Sequence, residues 1–357
     1  MTNIQKIILK ASAITLLVIS LIMGWFIYDY KSFLAEPLKI EAEGTSLQVQ
    51  PGMSLRKIAR ILKKRGILTR PHYFIWHAKF NRGANKIHVG EYSLKQGTTP
   101  AQLMFMLTTG KVKNYSITIV EGWTFKQMME EINKHPALKH TLKGLKPEQV
   151  MARLGLPGVH PEGRFFPDTY YFPKGMSDVD FLKRAYKIMD DFLQREWKKR
   201  QPGLPIKTPY EALILASVVE RETGVPSERP RIAGVFTRRL IKRMKLQSDP
   251  TVIYGMGDKY KGNIRRKDLR KPTPYNTYTI PALPITPIAM PSGQAIKAVL
   301  HPAEGKALYF VAKGNGAHYF SATLKEHNRA VREYQIRNRK KNYSSRHNKK
   351  QTGQNKP

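Results

Sequence analysis

The stretch "ILASVVERETGVPSERP", Ile214 to Pro230, reads as the end of a buried helix and contains a conflict. Its first half is apolar at helical spacing, and Gly224 supplies a helix stop. Yet Glu220 and Glu222 stand in or near the last turn, where the helix dipole disfavours negative charge. At about 100° per residue, Leu215, Val218, Val219 and Glu222 share one face, so Glu222 continues the apolar stripe by a turn. Glu220 lies roughly 160° away, near Leu213 and Ala216. Burial and the dipole both favour a protonated Glu222, the state that a general acid needs. A frayed helix end with Arg221, Arg229 and Arg231 as ion-pair partners accounts for the same residues.

Helices flank this one. "DVDFLKRAYKIMDDFLQREWKKR" precedes it, and "RIAGVFTRRLIKRM" follows, with Ile232, Val235, Phe236 and Leu240 in one stripe and basic residues opposite. Residues 246–302 are loop-rich. "ALYFVAKGNGAHYF" is expected to be a hairpin turning at Gly314-Asn315-Gly316, and "SATLKEHNRAVREYQIR" a closing helix. Toward the N-terminus a template recurs three times: "PGMSLRKIARIL", "QGTTPAQLMFML" and "EGWTFKQMMEEI". Each follows an alternating, strand-like run. Gly52, Gly97 and Gly122 make the turn, and Ser54, Thr99 and Thr124 cap a helix. Such units build a small α+β module and carry no chemistry of their own.

The N-terminus sets the compartment. After Lys6 and Lys10, the 18 residues from Ala11 to Tyr28 are uncharged, with Trp25 and Tyr28 placed as interfacial aromatics. A cleaved signal peptide would have a shorter apolar core and a small-residue cleavage site, which "FIYDYKSF" does not offer. The expected order is a cytoplasmic N-terminus (1–10), a transmembrane anchor (11–30), a linker (31–43) and a chain lying outside the cytoplasm. Lys6 and Lys10 before the span, against Lys31 after it, give the orientation.

Across 357 residues, 62 Lys and Arg oppose 26 acids, a net charge of +36. That balance selects a polyanionic partner: nucleic acid, anionic lipid or an acidic polymer. The tail, 336–357, is expected to be basic and disordered. Cysteine is absent, which excludes disulfides, thiol catalysis and Cys-based zinc sites. The ten histidines show no metal-ligand spacing, and no phosphate-binding Gly loop occurs, so neither metal nor cofactor is expected. No nucleic-acid motif interleaves aromatics with base-reading residues, and nucleic acid is not expected as a partner. Asp249 in "QSDPT" and Asp168 in "FPDTY" are either turn residues or site acids; His318 and His327 are site, core or surface histidines.

"ASVVERET", "LQSDPTVIYGMG", "YNTYTIPALP", "HPA", "YFVAKGNGAHYF" and "EHN", in this order after "EGRFFPDTY", resemble the endolytic murein transglycosylases, the MltG or YceG-like family. The resemblance runs from about Leu47 to Gln335; "PALPITPIAMPSG" departs from a Gly-Leu-Pro-Pro-Gly-like run. It implies an α+β protein with a LysM-like domain at 44–115 and a catalytic α+β domain at 116–335, outside the inner membrane. Its implied activity is non-hydrolytic cleavage of nascent peptidoglycan strands, terminating glycan elongation. The family's essential acid falls on Glu222, with Glu220 beside it. Gln247, Asp249, Tyr254, Asn276, Tyr278 and His318 are expected around the glycan. Glycan strands, the cytoplasmic membrane and peptidoglycan synthases are the expected partners. A non-catalytic wall-binding protein and a hydrolytic muramidase are the alternatives.

Overall fold

The computed structural model of the chain describes residues 3–81 and 86–337, so all but the first two residues of the expected basic tail lie outside the described part. Among the described residues two compact units are present: those up to 115 with 171–175, and those from 116 to 170 and from 176 onward.

The first unit begins with α1 (Asn3–Ala35), the one helix among the described residues long and apolar enough to cross a membrane. Then come β1 (Thr45–Val49), α2 (Leu55–Lys64), α3 (Pro71–Phe80), β2 (Gly90–Leu94) and α4 (Pro100–Thr109). β1 and β2 are antiparallel, with Thr45 opposite Leu94 and Val49 opposite Gly90. Leu47, Ile58, Leu62, Phe74, Leu94 and Leu107 form a single apolar core. Residues 31–43, expected to be a linker, belong to this unit. Helix α1 runs on to Ala35, and Phe33, Leu38 and Ile40 are buried in the same core. Main-chain hydrogen bonds from Leu38 to Thr98 and from Lys39 to Ile67 fix the segment. Its three apolar side chains at close spacing are what draw it in.

The strand–turn–helix template forms as its chemistry requires. Ser54 accepts from the Lys57 amide at the start of α2, and Thr99 and Gln102 close a capping box on α4. β3 (Asn114–Thr118) then leads to α5 (Phe125–Lys134), where Thr124 and Gln127 make the same box. Gly52, Gly97 and Gly122 hold φ of 77°, 86° and 78°, the left-handed turn that L side chains resist.

The chain continues with α6 (Pro147–Arg153), β4 (Thr169–Pro173, paired with β3, its last three residues belonging to the first unit), and then, in the second unit, α7 (Asp178–Lys198), α8 (Pro209–Glu222) and α9 (Arg229–Ile241). After these come α10 (Asp249–Met256), α11 (Arg266–Arg270), α12 (Gly293–Leu300), β5 (Tyr309–Ala312), β6 (His318–Ser321) and α13 (Leu324–Val331). Helix α8 is the hub, packed by α7, α9, α10 and α12, and every residue from Ala212 to Val219 is buried. Thr208 caps it and Pro209 opens it, so its apolar run starts at a defined residue. β5 and β6 form the hairpin expected from the sequence.

One buried acid tests how the first unit is held. Glu91 meets Lys174 Nζ at 3.0 Å, Lys113 Nζ at 3.7 Å and the Tyr115 hydroxyl at 3.1 Å. Burial pushes its carboxyl up, but the hydrogen bonds and lysine charges prevail and hold it below the usual range. A depressed carboxyl stabilises the fold above its unfolded value and loses that contribution as the pH falls. Glu91→Gln is therefore expected to lower stability at neutral pH and weaken its loss on acidification. Denaturant titrations of the two proteins at neutral and acidic pH measure both effects.

Candidate active site

The end of α8 separates the two glutamates by their partners. Glu220 Oε1 accepts from Arg229 at 2.9 Å. Its Oε2 accepts from the Ser292 amide at 3.0 Å and, at very short range, from the Ser292 hydroxyl. Its side chain is 6% exposed. Thus Glu220 is sequestered too, and the helical wheel alone does not distinguish the pair: the turns of α8 that precede them, Ala212 to Val219, are buried on every side, not along one stripe. What distinguishes Glu222 is the cleft. It is half-buried, it lines a cavity of about 1010 Å³, and its Oε1 accepts a short hydrogen bond from the Ser248 hydroxyl.

That hydroxyl is positioned from behind. The Ser248 amide donates to Thr277 Oγ1 at 2.9 Å, and Thr251 Oγ1 lies 2.9 Å from the same oxygen. Gln247, exposed and held at φ 51°, turns the chain into α10 at the cleft edge. Asp249 also lines the cleft and accepts from the Tyr278 hydroxyl at 2.6 Å. Burial, then the Asp249 charge, pushes the Tyr278 phenol up, so it remains a donor.

The β5–β6 hairpin supplies another wall. His318 lines the cleft, and its Nδ1 lies 2.7 Å from Glu228 Oε2, while its amide donates to Glu228 Oε1 at 2.8 Å. Engagement of Nδ1 leaves Nε2 as the ring nitrogen that can serve a ligand. Arg239 also lines the cleft, its guanidinium fixed by the carbonyls of Leu308, Lys245 and Leu246. Tyr260, Tyr278 and Tyr309 add aromatic surface of the kind that packs against sugar rings.

Three expected site residues do not line this cleft. Asn276 is buried, donating to the carbonyls of Asp268, Leu269 and Lys271 and accepting from the Tyr278 amide, so it shapes the loop that carries Tyr278. Tyr254 donates to Glu162 Oε2 at 3.0 Å, and Glu220 is held by Arg229 and Ser292. Asp168 accepts from the Thr169 amide, as a turn residue does. His327 does line the cleft, its ring stacked at 5.2 Å on Tyr309. No group of three or more metal-ligating side chains occurs among the described residues.

Sequence reading missed Ser248 and Glu162. Glu162 accepts from the Phe125 amide at 2.9 Å and from Tyr254, tying the start of α5 to α10. Gly163 beside it holds φ 76° against Pro287, where a Cβ would come within 2.5 Å of a proline carbon. The departing run "PALPITPIAMPSG" is thus packed into the unit, buried from Thr286 to Ser292.

Fold and cleft together define an α+β protein whose solvent-open cavity is lined by a helix-terminal glutamate, an aspartate, two histidines and tyrosines. A profile of the YceG-like family matches residues 47–333. An endolytic murein transglycosylase of Bacillus subtilis (strain 168) is 33% identical over 337 residues, covering 88% of this chain and 91% of that one. One from Streptococcus pneumoniae (strain D39) is 26% identical over 373 residues, covering 91% of this chain and 65% of its own length. The crystal structure of a YceG-like protein from Listeria monocytogenes is 28% identical, covering 81% of this chain and 99% of that one, with a TM-score of 0.53. The chain belongs to the YceG-like family.

Burial pushes the Glu162 carboxyl up to about 7, against hydrogen bonds from Tyr254 and Phe125 that favour its charged form. A raised carboxyl gives stability that is complete below its ordinary value of 4.5 and is lost as the pH rises toward about 7. Glu162→Gln is expected to flatten the fall in stability across that window, read as the denaturation midpoint at successive pH values.

Proposed function

We propose that the chain is a membrane-anchored lytic transglycosylase that cleaves the MurNAc–GlcNAc β-1,4 bond of nascent peptidoglycan. Glu222 serves as its single acid–base carboxyl. The observation that carries the reading is the placement of Glu222: on the cleft, oriented by Ser248, while its neighbour is taken up by Arg229. Glu222 gives its proton to the glycosidic oxygen as the bond from C1 breaks. The C6 hydroxyl of the same muramic residue attacks C1, and the Glu222 carboxylate takes that hydroxyl's proton. The product is a 1,6-anhydro end, and strand growth at that end stops. Because the nucleophile is tethered to the reacting sugar, no second carboxylate is needed to activate water.

Around this acid, Gln247, Asp249, Tyr278 and His318 bind and orient the glycan; Tyr254 and Asn276 support the elements that carry them. The cationic surface suits a substrate bearing peptide carboxylates and made at an anionic membrane. Helix α1 anchors the chain in the cytoplasmic membrane, with the catalytic unit outside and the synthases of the strand as neighbours. The strand–helix–helix–strand order of β1, α2, α3 and β2 supports reading the first unit as LysM-like.

Glu222→Gln is expected to lower formation of anhydro-muramic ends from glycan strands by ~10²–10⁴-fold with the fold retained. Mass spectrometry of the products and circular dichroism of the variant check the two halves; turnover like that of the parent removes Glu222 from the role. Ser248→Ala, which removes the hydrogen bond that orients the Glu222 carboxyl, is expected to slow turnover by roughly 10-fold with little change in KM. Steady-state kinetics on purified strands separate the two parameters.

A further inference from the structure

Helix α1 does not end where its apolar run ends. It continues unbroken to Ala35, and its last turns are enclosed by the first unit, with Phe33 only 2% exposed and Tyr30 and Leu34 packed on the same core. Helix α3 runs beside it. The Tyr73 ring lies 5.6 Å from Phe33 and 5.8 Å from both Tyr30 and Phe26. Trp76 lies 5.9 Å from Phe26, and the Tyr30 hydroxyl is 2.8 Å from His77 Nδ1. Tyr73, Trp76 and His77 therefore share the face of α3 turned to α1, and Phe80, one turn on, continues it.

The depth of that face follows from helix geometry. A bilayer core takes about 20 residues, so a span that begins at Ala11 ends near Tyr30. Phe26 then lies about one turn inside that limit, and a side chain in contact with it sits at the lipid boundary. Trp76 is 41% exposed and Phe80 80% exposed, and α4, which also packs on α1, bears Phe105 at 61%. Asp29, costly at a lipid edge, is matched by Arg70 and the Tyr73 hydroxyl. Lys31 on α1 and Lys79 on α3 are both exposed, suited to headgroup phosphates.

We propose that α3 is a membrane-surface helix, with Trp76 and Phe80 seated among the lipid headgroups beside the anchor. Tryptophan and phenylalanine side by side with lysine are the residues that favour this region. The first unit is then docked on its own anchor and on the bilayer around it, not suspended from a tether. The inference rests on reading α1 as a membrane span.

The absence of native cysteine makes single-site labelling direct. Phe80→Cys and Leu17→Cys, each spin-labelled in the full chain, are reconstituted in vesicles of phosphatidylcholine and phosphatidylglycerol. Collision with oxygen is compared with collision with a water-soluble nickel complex. Both labels are expected to show an oxygen-to-nickel ratio several-fold above that of free label in water, with position 80 shallower than position 17. A water-like ratio at 80 with a lipid-like ratio at 17 overturns the surface helix and leaves the anchor standing. Water-like ratios at both positions overturn the anchor, and the surface helix with it.

Discussion

The buried ion pair between Glu220 and Arg229 fixes the geometry of the second unit around the cleft. It joins the end of α8 to the start of α9, and Ser292 brings in the start of α12 through the same carboxylate. Arg229 also donates to Gln294, the second residue of α12. Loss of Arg229 leaves the Glu220 carboxylate buried without its cation, at a cost of about 3–5 kcal/mol. Loss of Glu220, by contrast, leaves Arg229 with the half-exposed Glu121, 3.6 Å away, as its acid. With Glu220 committed there, α8 ends in one defined place. Two residues on, the chain delivers Glu222 to the cleft, where Ser248 receives it.

Each wall of that cleft is in turn braced by its own hydrogen bonds. Glu228 holds His318, Tyr278 holds Asp249, the carbonyls of Lys245, Leu246 and Leu308 hold Arg239, and Asn276 holds the loop behind Tyr278. Glu162 and Tyr254 secure α10, whose first turn carries Asp249. An acid–base residue works only when its reach to the reacting oxygen is set beforehand, and side chains whose own partners are fixed provide that.

What could be read in the sequence was local. The Gly-x-Ser/Thr template forms because turn and cap lie within a few residues of each other, and the hairpin at Gly314 to Gly316 is equally short-range. The division of labour between Glu220 and Glu222 was not local. Glu220 is held by Arg229, 9 residues away and nameable in the sequence as an ion-pair partner, and by Ser292, 72 residues away. Glu222 meets Ser248, 26 residues away. Both serines lie on segments whose folding the helix cannot announce. Glu162 was overlooked for the same reason: "EGR" looks like a polar turn, and its partners are 37 and 92 residues distant. Asn276 and Tyr254 were expected at the glycan from the family resemblance, but their side chains hydrogen-bond inside the protein. Residues 31–43 were expected to be a linker between anchor and fold, although Phe33, Leu38 and Ile40 are core residues.

The central claim is that one carboxyl, Glu222, directs a displacement in which the sugar's own hydroxyl takes the place of water. Digesting purified glycan strands in water enriched with heavy oxygen, and weighing the products, tests it most directly. The account predicts new ends lacking the elements of water and carrying no heavy oxygen. Reducing ends that carry heavy oxygen from the solvent would contradict it.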